Sequence, residues 1–319
     1  MYEDKIVRFC DEVKEQVEKL VLSHIQNRMC LDENAADKNP VRAYCDAVEI
    51  LSMFDLQNAF SEKELLLNKL KQANTSEIDY TLMCVGYALE NLGTSISQAV
   101  SCADELKEDK LTSWLDELYN RERALPAWSF GSDVDALGTA FYQNKKYFRL
   151  DFEQENFFAW LNEHIDPCTG MWGSDADLLD TVNGFYRLTR GTYAQFDVEL
   201  PMPEKVIDTV LKHKSILEQD KHITACNTLD IIHPLWLCKK QTAYRSDEGY
   251  AFAQKWIEII MQNWVENKGF AFELLKHENT SMMGTEMWLS IFYLLCDYAD
   301  VSKVLNYIPK GIHRPYTEI

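Results

Sequence analysis

Six stretches of this chain are apolar on nearly every side at helical spacing: residues 41–51, 79–89, 131–141, 177–186, 224–236 and 285–295. Between them lie helical patterns that are apolar on one side only, such as the stripe Val206, Ile207, Val210 and Leu211 against Lys205, Asp208 and Lys212. A helix without a polar face, in a chain with no membrane-length apolar run, must be covered by protein on both sides. An amphipathic helix supplies one cover, and a second all-apolar helix supplies the other. Repeating the pair gives an all-α fold of the (α/α)6 toroid or barrel type, with the double-sided helices inside and a central cavity between them. Asp135, Asn183, Asp230 and Glu286 mark the repeat at intervals of roughly 50 residues, the length of a helical hairpin with its loops.

The expectation is one domain over residues 1–319, with 1–30 as an outer N-terminal helix and 300–319 as a C-terminal tail. A hydrophobic content of 46% suffices for a core of that size. With 51 Asp and Glu against 32 Lys and Arg, the net charge of -19 repels polyanions, so nucleic acid is not expected as a partner. Met1-Tyr2-Glu3-Asp4-Lys5 lacks the basic head and apolar run of a secretory signal, and the apolar stretch from Met287 to Cys296 is too short to span a bilayer. A soluble, cytoplasmic protein is expected. Nine cysteines at irregular positions, with no Cys-x-x-Cys, read as reduced thiols used as small hydrophobes.

Local signals set the expected boundaries. Ile6, Phe9, Val13, Val17, Leu20 and Val21 predict an opening amphipathic helix, and Asn39-Pro40 a cap and first turn for the next. Ser61 with Glu64 has the form of a capping box before Leu65-Leu66-Leu67, and Gly93 a helix stop. Further helices are expected over 96–106, 111–119, 204–213 and 250–265, with a kink or break at Pro234.

Chemistry would come from polar groups on the double-sided helices. Asp135, Asp230, His233 and Glu286 are the candidate catalytic residues, because a carboxyl or imidazole in apolar surroundings needs a purpose or a partner. Asp46, Asp133 and Asn183, with the aromatic residues Tyr186, Trp172, Trp236 and Trp288, are candidate substrate contacts. Glu49 and Tyr80 are weaker members of the same sets. Structural alternatives stand beside each: helix capping for Asp133, Asp135, Asp175, Asp177 and Asp180, an ion pair with Arg42 or Arg187 for Glu286, and plain core for the aromatics. Cys226, Asp230 and His233 share one helical face and could hold a divalent metal, although sites drawn wholly from one helix are rare; no cofactor is predicted. Phosphate-binding glycine loops, Gly-x-Ser-x-Gly elbows and His-Glu-x-x-His helices are absent.

Asp133-Val134-Asp135-Ala136-Leu137-Gly138-Thr139-Ala140-Phe141 resembles the α/α-toroid superfamily of terpenoid cyclases and protein prenyltransferase β subunits. The run from Phe157 through Gly170-Met171-Trp172-Gly173 is similar to that superfamily's repeated apolar helix and Gly-x-Trp loop, and Trp264 through Gly269-Phe270-Ala271-Phe272 is a fainter version. The resemblance implies a toroid over roughly residues 30–300 and isoprenoid chemistry, either cyclisation by protonation or prenyl transfer. Two departures accompany it. Ala136 stands where the acid motif Asp-x-Asp-Asp of the cyclases would place its third aspartate, and the Asp, Cys and His zinc ligands of the prenyltransferases find no position-by-position match.

Three functions follow. One is an isoprenoid-type enzyme with a carboxylic acid as proton donor and aromatic walls. The second is a carbohydrate-active barrel (glycosidase, lyase or sugar epimerase) using paired acids or histidine. The third is a non-catalytic toroid that binds a partner, which pairing of the inner polar groups and a filled centre would favour.

Overall fold

The computed structural model describes residues 2–26, 41–122, 127–173, 177–217 and 223–315. Its described residues are helical, with isolated bridges such as Asp166 to Met171 and no β-strand. In chain order the helices are α1 (Tyr2–Gln26), α2 (Arg42–Met53), α3 (Lys63–Lys71), α4 (Tyr80–Asn91), the single turn α5 (Ser101–Asp104), α6 (Asp109–Glu122) and α7 (Ala127–Gln143). They continue with α8 (Gln154–Glu163), α9 (Leu178–Thr189), α10 (Pro203–Leu217), α11 (Ala225–Lys239), α12 (Ser246–Met261) and α13 (Met282–Tyr298). None of them is long and apolar enough to cross a membrane.

The double-sided stretches are α2, α4, α7, α9, α11 and α13, and each packs on the next of the set. The last of them, α13, packs on α2, so the order of contacts returns to its start. The amphipathic helices lie against this set: α1 on α2, α3 on α2 and α4, α6 on α7, α10 on α9 and α11, and α12 on α11 and α13.

Helices α7 and α9 meet backbone to backbone. A Cβ on Gly131 would collide with the carbonyl of Gly184, and one on Gly138 with the carbonyl of Gly191. Both glycine pairs are spaced by two helical turns, so the same crossing contact is made twice. After their α-helical parts both chains pass through one wide π-type turn, Asn144–Phe148 and Arg190–Ala194.

Several local expectations are corrected. Helix α7 begins at Ala127, because Phe130 extends the buried face backwards; Asp133 and Asp135 therefore sit in its second and third turns rather than at its N-terminus. Ser61 and Glu64 form no capping box: Lys63 N–H closes a turn on Phe60 C=O, which seats Phe60 in the core, and Glu62 occupies the cap position without a side-chain bond. The helix expected over 96–106 shrinks to four residues, since Asn144 takes both backbone groups of Val100, accepting its N–H at 2.8 Å and donating to its carbonyl at 3.0 Å. Helix α11 runs through Pro234 without ending. Asp177 caps α9 by accepting from Leu179 N–H at 2.9 Å, whereas Asp175 and the Asn39-Pro40 pair lie outside the described residues.

Beyond α13 the chain turns inward. Tyr307 donates to the carbonyl of Leu289 at 2.7 Å, Ile308 N–H to Met53 at 3.2 Å, and Gly311, Ile312, His313 and Pro315 are buried.

Candidate functional site

Arg42 opens α2, and its guanidinium bonds to Asp46 one turn on, to the Tyr80 hydroxyl that opens α4, and to Cys84 at 3.7 Å. It also lies 3.7 Å from Glu286 of α13. Burial works against its charge, but Asp46, Tyr80, Cys84 and Glu286 outweigh burial and keep it protonated. Asp46 and Glu286 are thus held by one cation.

Glu286 has two more donors. Ser290 donates to it at 2.9 Å and the His313 ring at 2.8 Å. A carboxylate only accepts, so Nδ1 of His313 carries the proton. Burial would raise the Glu286 pKa, yet His313, Arg42 and Ser290 together hold it below the usual carboxylate range. The His313 pKa is pushed down by burial, which together with Arg42 and Arg190 outweighs the upward pull of Glu286.

Asp135 of α7 faces Arg190, whose Nε donates to Oδ2 at 3.1 Å while its Nη2 bonds Oδ1. Gly191 makes room for that carboxylate, since a Cβ there would strike Asp135. Burial raises the Asp135 pKa, and Arg190 opposes the rise without cancelling it. Arg190 also donates to the carbonyl of Ile312 at 3.2 Å, and Ile312 N–H donates to Glu49 at 3.0 Å. Burial and the neighbouring Glu286 raise the Glu49 pKa well above its ordinary value, against the pull of Arg42 and the Ile312 N–H. Arg314 follows, bonding Glu90 at 2.8 Å and Gln195 at 3.2 Å, with its guanidinium 4.8 Å from the Tyr87 ring centre and 4.6 Å from that of Tyr142. The C-terminal segment is therefore bound at the centre through its main chain and its side chains alike.

A cavity of about 130 Å³ remains beside it. Arg42, Arg187, Arg190, Asp135 and His313 supply its charged and titratable lining; Tyr80, Asn183 and Tyr186 its other polar groups; Phe272, Met283, Met287 and Ile312 its apolar wall. Tyr80, Asn183, Arg187, Cys226, Phe272 and Met283 are only half-buried and mark its mouth. Helices α4, α11 and α13 begin at that end, capped by Asp79, Thr224 and Ser281.

Asp230 and His233 adjoin this cavity without lining it. Asp230 is fully buried, neither oxygen has a hydrogen-bond partner among the described residues, and burial raises its pKa well above the ordinary value against the pull of Arg187. His233 packs edge-on against Tyr186 at 5.1 Å, and burial with Lys240, Arg190 and His313 lowers its pKa to about 3. Cys226, Asp230 and His233 do not converge: no group of three or more His, Cys, Asp or Glu among the described residues is placed to hold a metal ion.

The structure thus brings Asp46, Asp135, Asn183, Tyr186 and Glu286 to one centre, with Asp230 and His233 beside it. Asp133 is half-buried on α7 and is not part of the lining. Trp172, Trp236 and Trp288 are not part of the lining, each with its indole N–H already used: on Leu161 C=O at 2.7 Å, on Asp297 at 2.8 Å and on Ala271 C=O at 3.0 Å. A larger cleft of about 450 Å³ between the ends of α3 and α4 has Lys71 as its only ionisable lining group.

Arg190 and His313 escaped the sequence reading. For Arg190 the available signal was a second arginine one turn after Arg187 in a helix with little other charge; for His313 there was none. No protein family, curated protein or solved structure matches this chain.

Proposed function

We propose that α2, α4, α7, α9, α11 and α13 form the inner layer of an (α/α)6 toroid, and that its centre is the site of an acid-catalysed reaction on a small polar substrate. The cycle of helix contacts supports the toroid. Asp230 carries the proposal for chemistry: a carboxyl with no donor on either oxygen, buried on α11, retains its proton, while Glu286 on α13 is held ionised by His313 and Arg42. Carboxyls whose environments push them apart in this way divide into proton donor and charged partner. An unpartnered buried acid is otherwise a cost of about 1–3 kcal/mol with nothing in return.

The lining favours the polar alternative over the isoprenoid one. Ligand pockets for drug-sized molecules run to about 300–1,000 Å³, and a prenyl chain would have to lie among guanidinium, phenol and carboxylate groups in a much smaller space. A sugar fits the polarity, and needs the C-terminal segment to withdraw. A second reading, the non-catalytic toroid, is favoured by that same segment and by the pairing of Asp46, Asp135 and Glu286.

The test has two parts. The infrared spectrum at pH 7 should hold a protonated-carboxyl band that Asp230→Asn removes, and turnover of a panel of small sugars and hydroxy acids should disappear in the same variant with its helicity intact. Absence of both the band and any Asp230-dependent turnover would leave the partner-binding reading.

A further inference from the structure

Three arginines line the cavity of an otherwise strongly acidic chain, and two of them are ion-paired. Arg190 is paired with Asp135, and Arg42 with Asp46 and Glu286. Arg187 has no carboxylate partner among the described residues, and its Nε is buried without a hydrogen-bond acceptor. Its guanidinium carbon instead lies over two aromatic rings, 4.7 Å from the Trp128 ring centre and 5.9 Å from that of Tyr80. Cation–π contact with two rings restrains the guanidinium without using its N–H donors.

The surroundings complete a receptor. Asn183, one turn before Arg187 on α9, lines the same cavity. Helices α4, α11 and α13 direct the positive ends of their dipoles to this end of the molecule. Asp230 and Asp135 both feel the charge of Arg187, and Asp230 gives it no hydrogen bond.

We infer that the cavity binds a small anion, a phosphate or carboxylate group, through the free edge of Arg187 with Asn183 beside it. This names the substrate class for the centre proposed above and rests on that centre being a ligand site. The volume of about 130 Å³ corresponds to roughly four waters at about 30 Å³ each. Inorganic phosphate or acetate fits such a space. A planar fork suits either, because both present two oxygens at matching separation.

The experiment is calorimetric titration of the full chain with inorganic phosphate and, separately, with acetate, at constant ionic strength. Saturable binding of at least one is expected, weakened tenfold or more in Arg187→Met and partly restored in Arg187→Lys. Arg245→Met, which alters an exposed arginine already paired with Asp208 and Glu248, should bind as the native chain does. Preference between the two titrants tells phosphate from carboxylate recognition. Native-like binding in Arg187→Met, or no saturable binding of either anion by the native chain, overturns the inference. If Arg187→Met fails to fold, a folded Arg187→Lys that binds undiminished overturns the two-donor geometry in the same way. The infrared band of Asp230, read on the same samples, separates a failure here from a failure of the proton donor.

Discussion

Gly138 meets the carbonyl of Gly191 across the α7/α9 crossing so closely that a Cβ on Gly138 would collide with it, while a Cβ on Gly191 would strike Asp135. The contact matters to the site because the next residue back from Gly191 is Arg190, and the carboxylate it holds, Asp135, sits one turn before Gly138. Helix spacing and the buried ion pair are therefore set by the same crossing. Gly138→Ala should push the helices apart and cost about 1–3 kcal/mol, the range for overpacking a close contact. Chemical denaturation measures it. A variant as stable as the native chain would mean that the two backbones are not in contact.

Stability should respond to pH through the buried acids. Asp230 and Glu49 have folded-state pKa values raised well above their ordinary 3.8 and 4.5, chiefly by burial. For a raised group the folded state binds the proton more tightly, so its contribution is fully present below the unfolded pKa and is lost as pH rises toward the folded one. Asp230→Asn removes one of the two slopes. The variant should match the native chain near pH 4 and gain on it steadily toward pH 8, by about 1–3 kcal/mol if the buried carboxyl is as poorly solvated as its missing partners imply. Denaturation curves across that window that stay parallel would mean that Asp230 is ionised in the folded protein.

The double-sided helices were legible in the chain because burial on both faces leaves no room for a polar stripe, and this is a property of each segment alone. The polar residues on them were legible for the same reason: Asp135, Asp230 and Glu286 stand out against Val134, Ile231 and Met287. Their partners were another matter. Arg190 meets Asp135 from a different helix, and His313 reaches Glu286 from a stretch with no periodicity, so neither pairing has a local trace. The tryptophans do not line this cavity, and the sequence could not tell, because an indole looks the same in a core as in a pocket; here Leu161, Asp297 and Ala271 supply acceptors for their N–H groups.

The C-terminal segment makes the strongest remaining prediction. Ending the chain at Asn306 removes Tyr307 from Leu289, Ile312 from Arg190 and Glu49, His313 from Glu286, and Arg314 from Glu90. These are buried groups whose partners stay behind, and stripping one partner from a buried charge costs about 3–5 kcal/mol. The shortened protein should therefore unfold at clearly lower denaturant, with loss of Arg190's carbonyl acceptor and of the His313 bond as the main causes. Because Ile312, His313 and Arg314 are each held by hydrogen bonds or ion pairs to groups on other helices, those sites should survive the segment's removal. A synthetic peptide of residues 307–319 added to the shortened chain is expected to raise the melting temperature back toward the native value in a saturable way, and a peptide with Ala for His313 and Arg314 should do so far less. Equal stability of the short and full chains would show that the segment contributes nothing at the centre, and a short chain that the peptide cannot rescue would show that the centre collapses when the segment leaves.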